Sequence, residues 1–192
     1  MDLRPAADRM TKLLQPIAEA DLDRVTPCVD MTVRALIDHI RGFASGFRAT
    51  ALKTFDGPPD ATEAPGARDT FEADWRDELG RELRRLADAW DQPSAWEGMT
   101  RAGGIDLPGE MAGRVALEEL VVHAWDLARA TGQRFEADER DLADLEGLAH
   151  QLRGGNNGEL PGLYGPVVAT ADDAPLLDRV LALTGRDPTW TP

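Results

Sequence analysis

Cysteine is nearly absent from this chain of 192 residues, since Cys28 stands alone. A single thiol excludes an internal disulfide framework of the kind that stabilises small secreted domains. Long apolar runs are missing too, because nowhere do about 18 apolar residues follow one another, as a membrane-spanning helix requires. The N-terminal segment MDLRPAADRMTKLLQPIAEA also lacks the apolar core of a signal peptide. We therefore expect a cytoplasmic protein with no membrane association.

Basic residues are also scarce. The chain has 21 Lys and Arg against 35 Asp and Glu, which gives a net charge of −14 and a pI near 4.6. So acidic a chain is repelled by phosphate backbones and by anionic membrane surfaces. We expect small-molecule partners rather than nucleic acid, while the composition predicts no particular oligomeric state. The length fits a single domain, residues 1–192, that is large enough to bury a sizeable core.

Apolar residues recur at helical spacing through most of the chain. A Pro- and Gly-rich loop is expected over Asp56–Ala67, and the Gly103-Gly104 pair within Ser94–Pro108 predicts a β-hairpin. Several long amphipathic helices imply an all-α protein built as a four-helix bundle, with a long crossover, a small hairpin insertion and extra C-terminal helices. The predicted helices are Pro5–Ala20, Thr32–Leu52, Arg68–Trp90, Met111–Thr131, Ala137–Arg153 and Pro175–Thr184.

The helix Met111–Thr131 carries a carboxylate and an imidazole on its apolar face. Glu119 and His123 are four residues apart and therefore lie one turn from each other. Burying a carboxylate and an imidazole costs free energy, because both groups leave water. Either a divalent metal or a self-sufficient Glu–His hydrogen bond would offset that cost. Charged residues off this stripe are expected to face solvent, and these are Arg114, Glu118 and Arg129.

A metal would need a third ligand, and only His39 and His150 remain as imidazoles. His39 lies beside Leu36 and Phe43, at the margin of the apolar face of its helix. His150 points away from the apolar stripe of its own helix and is expected to be a surface residue. The sequence therefore favours His39 together with Glu119 and His123 as metal ligands.

Other residues near these ligands admit two interpretations each. Cys28 precedes a helix N-terminus, whose dipole could lower the thiol pKa, but it also fits as a small buried apolar residue. Asp38 and Asp126 could accept hydrogen bonds from ligand imidazoles, or be ordinary charges on a surface or between helices. The tryptophans are expected in the core or in a pocket wall, namely Trp75, Trp90, Trp96 and Trp125.

Three blocks of sequence resemble a known family. They are TPCVDMTVRALIDHI (Thr26–Ile40), ELVVHAWDLARATG (Glu119–Gly132) and DAPLLDRVLALTGRDPTW (Asp173–Trp190). In this order they are similar to the signature blocks of the DinB-like metal-binding proteins of actinobacteria, in the group related to the N-terminal domain of mycothiol-dependent maleylpyruvate isomerase. The resemblance implies a DinB-like four-helix bundle, with His39, Glu119 and His123 as metal ligands.

Two departures limit what the resemblance implies. Met31 stands where the family usually has Trp, a change that affects packing near a helix start but alters no ligand. The isomerases also carry a C-terminal domain at their active site, whereas this sequence ends at Pro192. The metal centre and its thiol cofactor are therefore implied more directly than isomerisation of maleylpyruvate.

The preferred hypothesis is a metal- and mycothiol-dependent transferase or isomerase that acts on a small electrophile. Three protein ligands leave coordination positions open, as at catalytic metal sites. Zinc is the first choice, although two imidazoles and a carboxylate also suit Ni, Fe or Mn. The alternatives are a non-catalytic metal-binding or sensing protein, and a helical interaction protein without metal.

Overall fold

The computed structural model of the chain describes residues 1–54, 71–171 and 173–192. These residues form seven α-helices, one short 3-10 helix (Glu19–Asp21) and one hairpin. The hairpin pairs β1 (Met99–Ala102) with β2 (Ile105–Pro108) in antiparallel register. The helices are α1 (Arg4–Leu14), α2 (Val33–Leu52), α3 (Trp75–Trp90), α4 (Pro93–Trp96), α5 (Gly109–Thr131), α6 (Glu139–Arg153) and α7 (Leu176–Leu183).

Four helices close a ring around the main core. Helix α1 packs against α3, α3 against α2, α2 against α5, and α5 against α1. Outside this ring, α6 packs on α5, and α7 packs on α6. The predicted all-α bundle with a hairpin and extra C-terminal helices is therefore confirmed. Within the described residues, no helix combines the length and apolar character needed to cross a membrane.

Apolar residues at helical spacing supply the core, as the sequence predicts. In α1 the buried apolar residues include Met10, Leu13 and Leu14. In α3 they recur at nearly every fourth position, at Trp75, Leu79, Leu83, Leu86 and Trp90. The tryptophan prediction is also confirmed, since three of the rings are buried and the fourth packs against the core while partly exposed. The buried rings are Trp75, Trp90 and Trp125, and the fourth is Trp96.

The residues at the helix ends explain where several helices begin and end, and some of these boundaries differ from the predicted ones. The Thr32 side chain caps α2 by accepting from the Ala35 N–H at 3.3 Å, and Gly132 ends α5 with a φ of 69°. Helix α1 stops at Leu14 rather than Ala20, because Pro16 has no N–H to continue the helical hydrogen bonds. Helix α7 begins at Leu176 rather than Pro175, with Pro175 in the N-cap position.

Helix α3 begins at Trp75 rather than Arg68. Residues 71–74 are not helical, and the predicted start at Arg68 lies outside the described residues, as does the predicted loop over Asp56–Ala67. Helix α6 begins at Glu139 because the Asp138 side chain accepts from the Arg140 N–H at 2.8 Å. Such a side-chain cap satisfies one of the free N–H groups of the first turn.

Helix α5 lies at the centre of the protein and is covered on several sides. Contacts with α1 and α2 bury one side, while α4, α6 and the hairpin contact others. The expectation that Arg114, Glu118 and Arg129 face solvent is therefore wrong. Glu118 is only 5% exposed, and the two arginines are half-buried. A helix that is buried on nearly all sides has no exposed face, so its sequence pattern does not show which polar residues are buried.

Candidate metal centre

Three side chains from two helices meet at one point. His39 projects from α2, and Glu119 and His123 project from neighbouring turns of α5. His39 Nε2 lies 3.3 Å from Glu119 Oε2 and 3.1 Å from His123 Nε2. His123 Nε2 lies 3.0 Å from the same Glu119 oxygen, which closes a triangle of three donor atoms. The structure thus brings together the three residues that the sequence selected.

The size of this triangle suits a single metal ion. Zinc binds imidazole nitrogen and carboxylate oxygen at about 2.0–2.2 Å in tetrahedral geometry, which places neighbouring ligand atoms about 3.3–3.6 Å apart. The sides of 3.0, 3.1 and 3.3 Å lie at or slightly below that spacing, so small movements of the side chains would admit the ion. Two imidazoles and one carboxylate are also ligands that Zn, Fe, Ni and Mn accept. The residues present therefore fit a divalent metal.

The second nitrogen of His123 indicates how its ring is protonated. His123 Nδ1 lies 2.9 Å from Asp126 Oδ2, and the Asp126 side chain is fully buried. A carboxylate can only accept, so Nδ1 carries the proton and donates to Asp126. In neutral His123, Nε2 is then an acceptor that faces the Glu119 carboxylate at 3.0 Å. Two facing acceptors require a cation between them, either a metal ion or a second proton on His123.

Without a metal, the proton takes this place. Burial disfavours the charged imidazole, but hydrogen bonds to Asp126 and Glu119 outweigh it and raise the pKa of His123 to about 9. Burial likewise opposes the Glu119 carboxylate, yet its hydrogen bonds with His123 and His39 hold the pKa of Glu119 below its ordinary value. The site is therefore organised to hold positive charge between these side chains.

One side of the centre is accessible and the other is closed. The His39 and Glu119 side chains are 31% and 25% exposed, whereas that of His123 is only 8% exposed. Phe43 covers the buried side, with its ring nearly parallel to His123 at 6.2 Å and edge-on to His39 at 5.8 Å. A small ligand would approach from the side of His39 and Glu119.

Cys28 lies in a second cluster of potential ligand atoms, with His123 and Asp126. Arg186 already supplies positive charge there, because its Nη2 lies 3.2 Å from Asp126 Oδ2 and 3.4 Å from Cys28 Sγ. Burial raises the pKa of the Cys28 thiol to about 11, which contradicts the interpretation in which a helix dipole lowers it. The half-buried thiol fits the alternative interpretation of a small packing residue.

The remaining sequence predictions have mixed outcomes. His150 is exposed on α6, as predicted. Asp126 proves to be a hydrogen-bond partner of the His123 imidazole rather than an ordinary charge. The same role for Asp38, which is half-buried, stays a prediction. Arg186 lies inside the third resembling block, but no sequence pattern indicates its contact with Asp126, which spans 60 residues.

A further buried pair lies beside the centre. The Tyr164 hydroxyl donates to Glu118, with Oη 2.6 and 2.8 Å from the two carboxylate oxygens. Burial outweighs this hydrogen bond and raises the pKa of Glu118 to about 7, with a smaller contribution from the neighbouring Glu119 charge. No sequence pattern indicated this pair, because its members lie 46 residues apart. The pair fixes the segment around Tyr164 against α5.

Comparison with known families assigns this architecture. Residues 3–128 match the family model described as the mycothiol maleylpyruvate isomerase N-terminal domain. The chain belongs to this family. The matched range includes all three residues of the donor triangle. The suspected relation to the isomerase N-terminal domain, drawn from the three sequence blocks, is therefore confirmed.

Relatives of similar length occur in Mycobacterium tuberculosis. Uncharacterized protein Rv0738 of strain H37Rv and uncharacterized protein MT0763 of strain CDC 1551 are each 25% identical over 187 residues. Each alignment covers 94% of this chain and 93% of the relative. The sequence similarity therefore extends over nearly the whole length of this chain and of each relative.

Two solved structures share the fold. Crystal structures of the mycothiol-dependent maleylpyruvate isomerase and of a point mutant of it align with a TM-score of 0.65. The alignments cover 82% of this chain and 70% of the isomerase chain, at 18% and 17% identity. At this identity the comparison establishes a common fold.

Proposed function

We propose that the protein binds one divalent metal ion, most simply zinc, through His39, Glu119 and His123. The observation that carries the proposal is the triangle of donor atoms with sides of 3.0–3.3 Å. The Nε2 of His123 also faces the Glu119 carboxylate at 3.0 Å while Nδ1 donates to Asp126, and a metal between Nε2 and the carboxylate would satisfy both groups at once. Ni, Fe and Mn are accommodated by the same donors, so the identity of the metal is part of the test.

We further propose that the centre binds a low-molecular-weight thiol and uses it on a small electrophile. Two neutral imidazoles and one carboxylate around a divalent ion leave a net charge of +1, which favours an anion. The buried Asp126 and Arg186 form an ion pair and add no net charge. A bound metal would lower the pKa of such a thiol and supply a thiolate nucleophile at neutral pH.

The chain's own residues define how this thiol would bind. His39 and Glu119 border the accessible side, so the thiol would enter there, while Phe43 and the buried His123 exclude water on the far side. The structurally similar isomerase is named as mycothiol-dependent, which supports mycothiol as the thiol. We propose a thiol-dependent transferase or isomerase that acts in the cytoplasm.

Metal content after reconstitution tests the first step. Wild-type protein, stripped and reloaded with zinc, should retain about one ion per chain after gel filtration. His39→Ala and His123→Ala should each lose most of that metal, because each removes one of three ligands. His150→Ala is the matched control and should retain the wild-type content, since His150 is exposed on α6. Wild-type protein without metal, or His123→Ala with full metal, would overturn the proposal.

Turnover with mycothiol tests the second step. Metal-loaded protein should consume small electrophiles only when mycothiol is present, and His123→Ala should abolish the reaction. Metal binding without any response to mycothiol would instead favour the alternative of a metal-binding or sensing protein.

A further inference from the structure

The carboxylate of Asp126 connects the proposed metal ligand His123 with the C-terminal part of the chain. Its Oδ2 accepts from His123 Nδ1 at 2.9 Å and from Arg186 Nη2 at 3.2 Å. The residue is 0% exposed, and its Oδ1 has no hydrogen-bond partner among the described residues. Both hydrogen bonds therefore converge on one oxygen of a buried carboxylate.

Arg186 is itself held in place by the end of α7. Its Nη1 donates to the Thr184 carbonyl at 3.1 Å, and its side chain is 12% exposed. The Thr184 backbone N–H closes the last turn of α7 through bonds of 3.0 Å to the carbonyls of Val180 and Leu181. The guanidinium is thus fixed relative to the C-terminal helix rather than free in solvent.

We infer that Arg186 is a positioning residue of the metal centre, acting through Asp126 on the ring of His123. This inference rests on the proposed metal site. Within the part of the chain that the structure describes, His123 and Arg186 are the side chains that hydrogen-bond to Asp126 and fix its orientation. Removing the guanidinium leaves the buried carboxylate with His123 as its one remaining side-chain hydrogen-bond partner among the described residues, so its orientation is less well fixed. The His123 ring then loses the fixed acceptor that directs Nε2 toward His39 and Glu119.

Hydrogen-bond partners of metal-bound imidazoles have a known effect on affinity. Their loss weakens metal binding by about 10- to 100-fold, because the ring is no longer held in the ligating orientation. Most such partners are carboxylates or carbonyls in direct contact with the ring. Arg186 differs because it acts one residue further out and comes from the C-terminal segment, which links folding of that segment to the strength of the metal site.

The test compares zinc affinities, measured by competition with a chromophoric chelator. Arg186→Gln should weaken binding by about 10-fold or more. Arg186→Lys keeps a cation near Asp126 and should fall between wild type and Arg186→Gln. Arg179→Gln is the matched control, because Arg179 also lies in the C-terminal part but pairs with Glu146 at 2.7 Å. That control should bind zinc within about twofold of wild type.

A double-mutant cycle separates positioning from a general loss of stability. If Arg186 acts through Asp126, Asp126→Asn and Arg186→Gln together should weaken binding no more than Asp126→Asn alone. Cobalt-loaded Arg186→Gln should also show an altered visible absorption spectrum, since the orientation of one imidazole ligand changes. A merely structural role for Arg186 would lower the melting temperature but leave the cobalt spectrum unchanged.

The outcomes distinguish this inference from the proposed function. Wild-type protein that binds no metal would overturn the metal site itself. Wild-type binding together with an unchanged affinity of Arg186→Gln, or with additive losses in the cycle, would overturn only the role of Arg186. If Arg186→Gln does not fold, the cycle is built with Arg186→Lys. Additive losses of zinc affinity in that cycle would likewise overturn the role of Arg186.

Discussion

The Nε2 atoms of His39 and His123 lie 3.1 Å apart, although 84 residues separate the two histidines in sequence. Their rings are nearly perpendicular, with centroids 4.7 Å apart, so both nitrogens point at the same place. His39 belongs to α2 and His123 to α5, which are neighbours in the bundle. A metal ion at this point would therefore cross-link two core helices.

Removing the metal should destabilise the protein without unfolding it. Every main helix has its own buried apolar stripe, so the core does not depend on the metal as a zinc finger does. A ligand present at about 1,000 times its dissociation constant adds about 4 kcal/mol of stability. For a chain of this size that corresponds to roughly 10 °C in melting temperature.

Circular dichroism with and without a chelator checks this prediction. The metal-free protein should keep its helical spectrum and melt at lower temperature than the zinc-loaded protein. His150→Ala should show the same difference between the two forms as wild type. A random-coil spectrum after metal removal would contradict the prediction, because it would make the metal a requirement for folding.

Metal binding should release about one proton near neutral pH. His123 has a pKa of about 9 in the metal-free protein, so at pH 7 its ring carries a proton that a metal must displace. The pKa of Glu119 is lowered, so this carboxylate is already ionised and adds no proton. Apparent affinity should rise about tenfold per pH unit between pH 7 and pH 9, and level off above.

Calorimetric titration in buffers of different ionisation enthalpy counts the released protons. The slope of the observed enthalpy against buffer enthalpy should correspond to about one proton at pH 7 and to fewer above pH 9. The exposed His150 provides a control, since His150→Ala should release the same number. Binding that is independent of pH between 7 and 9 would show that His123 is already neutral before the metal arrives.

The sequence predicts that Glu119 and His123 lie together because this depends on local periodicity. Glu119 and His123 share a helix face by their spacing of four residues, and that face is where the structure places the site. His39 required an inference across the fold, from its position beside an apolar stripe and from the family resemblance. The Thr32 cap and the Gly132 end of α5 rest on the chemistry of single residues, which a sequence shows directly.

The surroundings of the ligands could not be predicted in this way. Helical periodicity separates a buried face from an exposed one, but α5 is covered on several sides, and this hid the burial of Glu118. The partners of Glu118 and Asp126 are Tyr164 and Arg186, which reach α5 from segments beyond α6. Contacts across 46 and 60 residues leave no periodic signal in a single sequence.

Glu118→Gln should change stability in a way that depends on pH. The folded-state pKa of Glu118 is about 7, above its ordinary value of 4.5. The contribution of a protonated Glu118 is therefore complete below about pH 4.5 and is lost as pH rises through 7. Gln can still accept from the Tyr164 hydroxyl and does not ionise. The melting temperature of the variant, relative to wild type, should therefore rise between pH 5 and pH 8.

Glu146→Gln is the matched control for this series. The hydrogen bond from Arg179 holds the pKa of Glu146 below its ordinary value, so this carboxylate stays ionised from pH 5 to pH 8. Its difference in melting temperature from wild type should be nearly constant over that range. Thermal unfolding of both variants in the metal-free form measures the effect. A constant difference for Glu118→Gln as well would contradict the prediction, because it would mean that Glu118 does not titrate between pH 5 and pH 8.

A thiol should bind directly to the metal as its thiolate. The net charge of +1 at the centre attracts an anion at contact, whereas the chain's charge of −14 is distributed and screened over about 8 Å in physiological salt. Local attraction should therefore dominate. Cobalt-loaded protein should develop a sulfur-to-metal charge-transfer band with millimolar mycothiol, and apparent thiol affinity should rise with pH up to the pKa of the free thiol.

Glu119→Gln provides the sharper test, because it changes the charge of the site and little of its shape. Losing the carboxylate raises the net charge at a filled centre from +1 to +2. The variant should bind the metal more weakly than wild type, since a charged ligand is gone. When excess cobalt keeps the site filled, however, the variant should bind thiolate more tightly than cobalt-loaded wild type. Glu146→Gln makes the same chemical change away from the site, on α6, and should alter neither affinity. If millimolar thiol gives no charge-transfer band with wild-type cobalt protein, the thiol does not coordinate the metal, and the sensing or storage alternative becomes the better account.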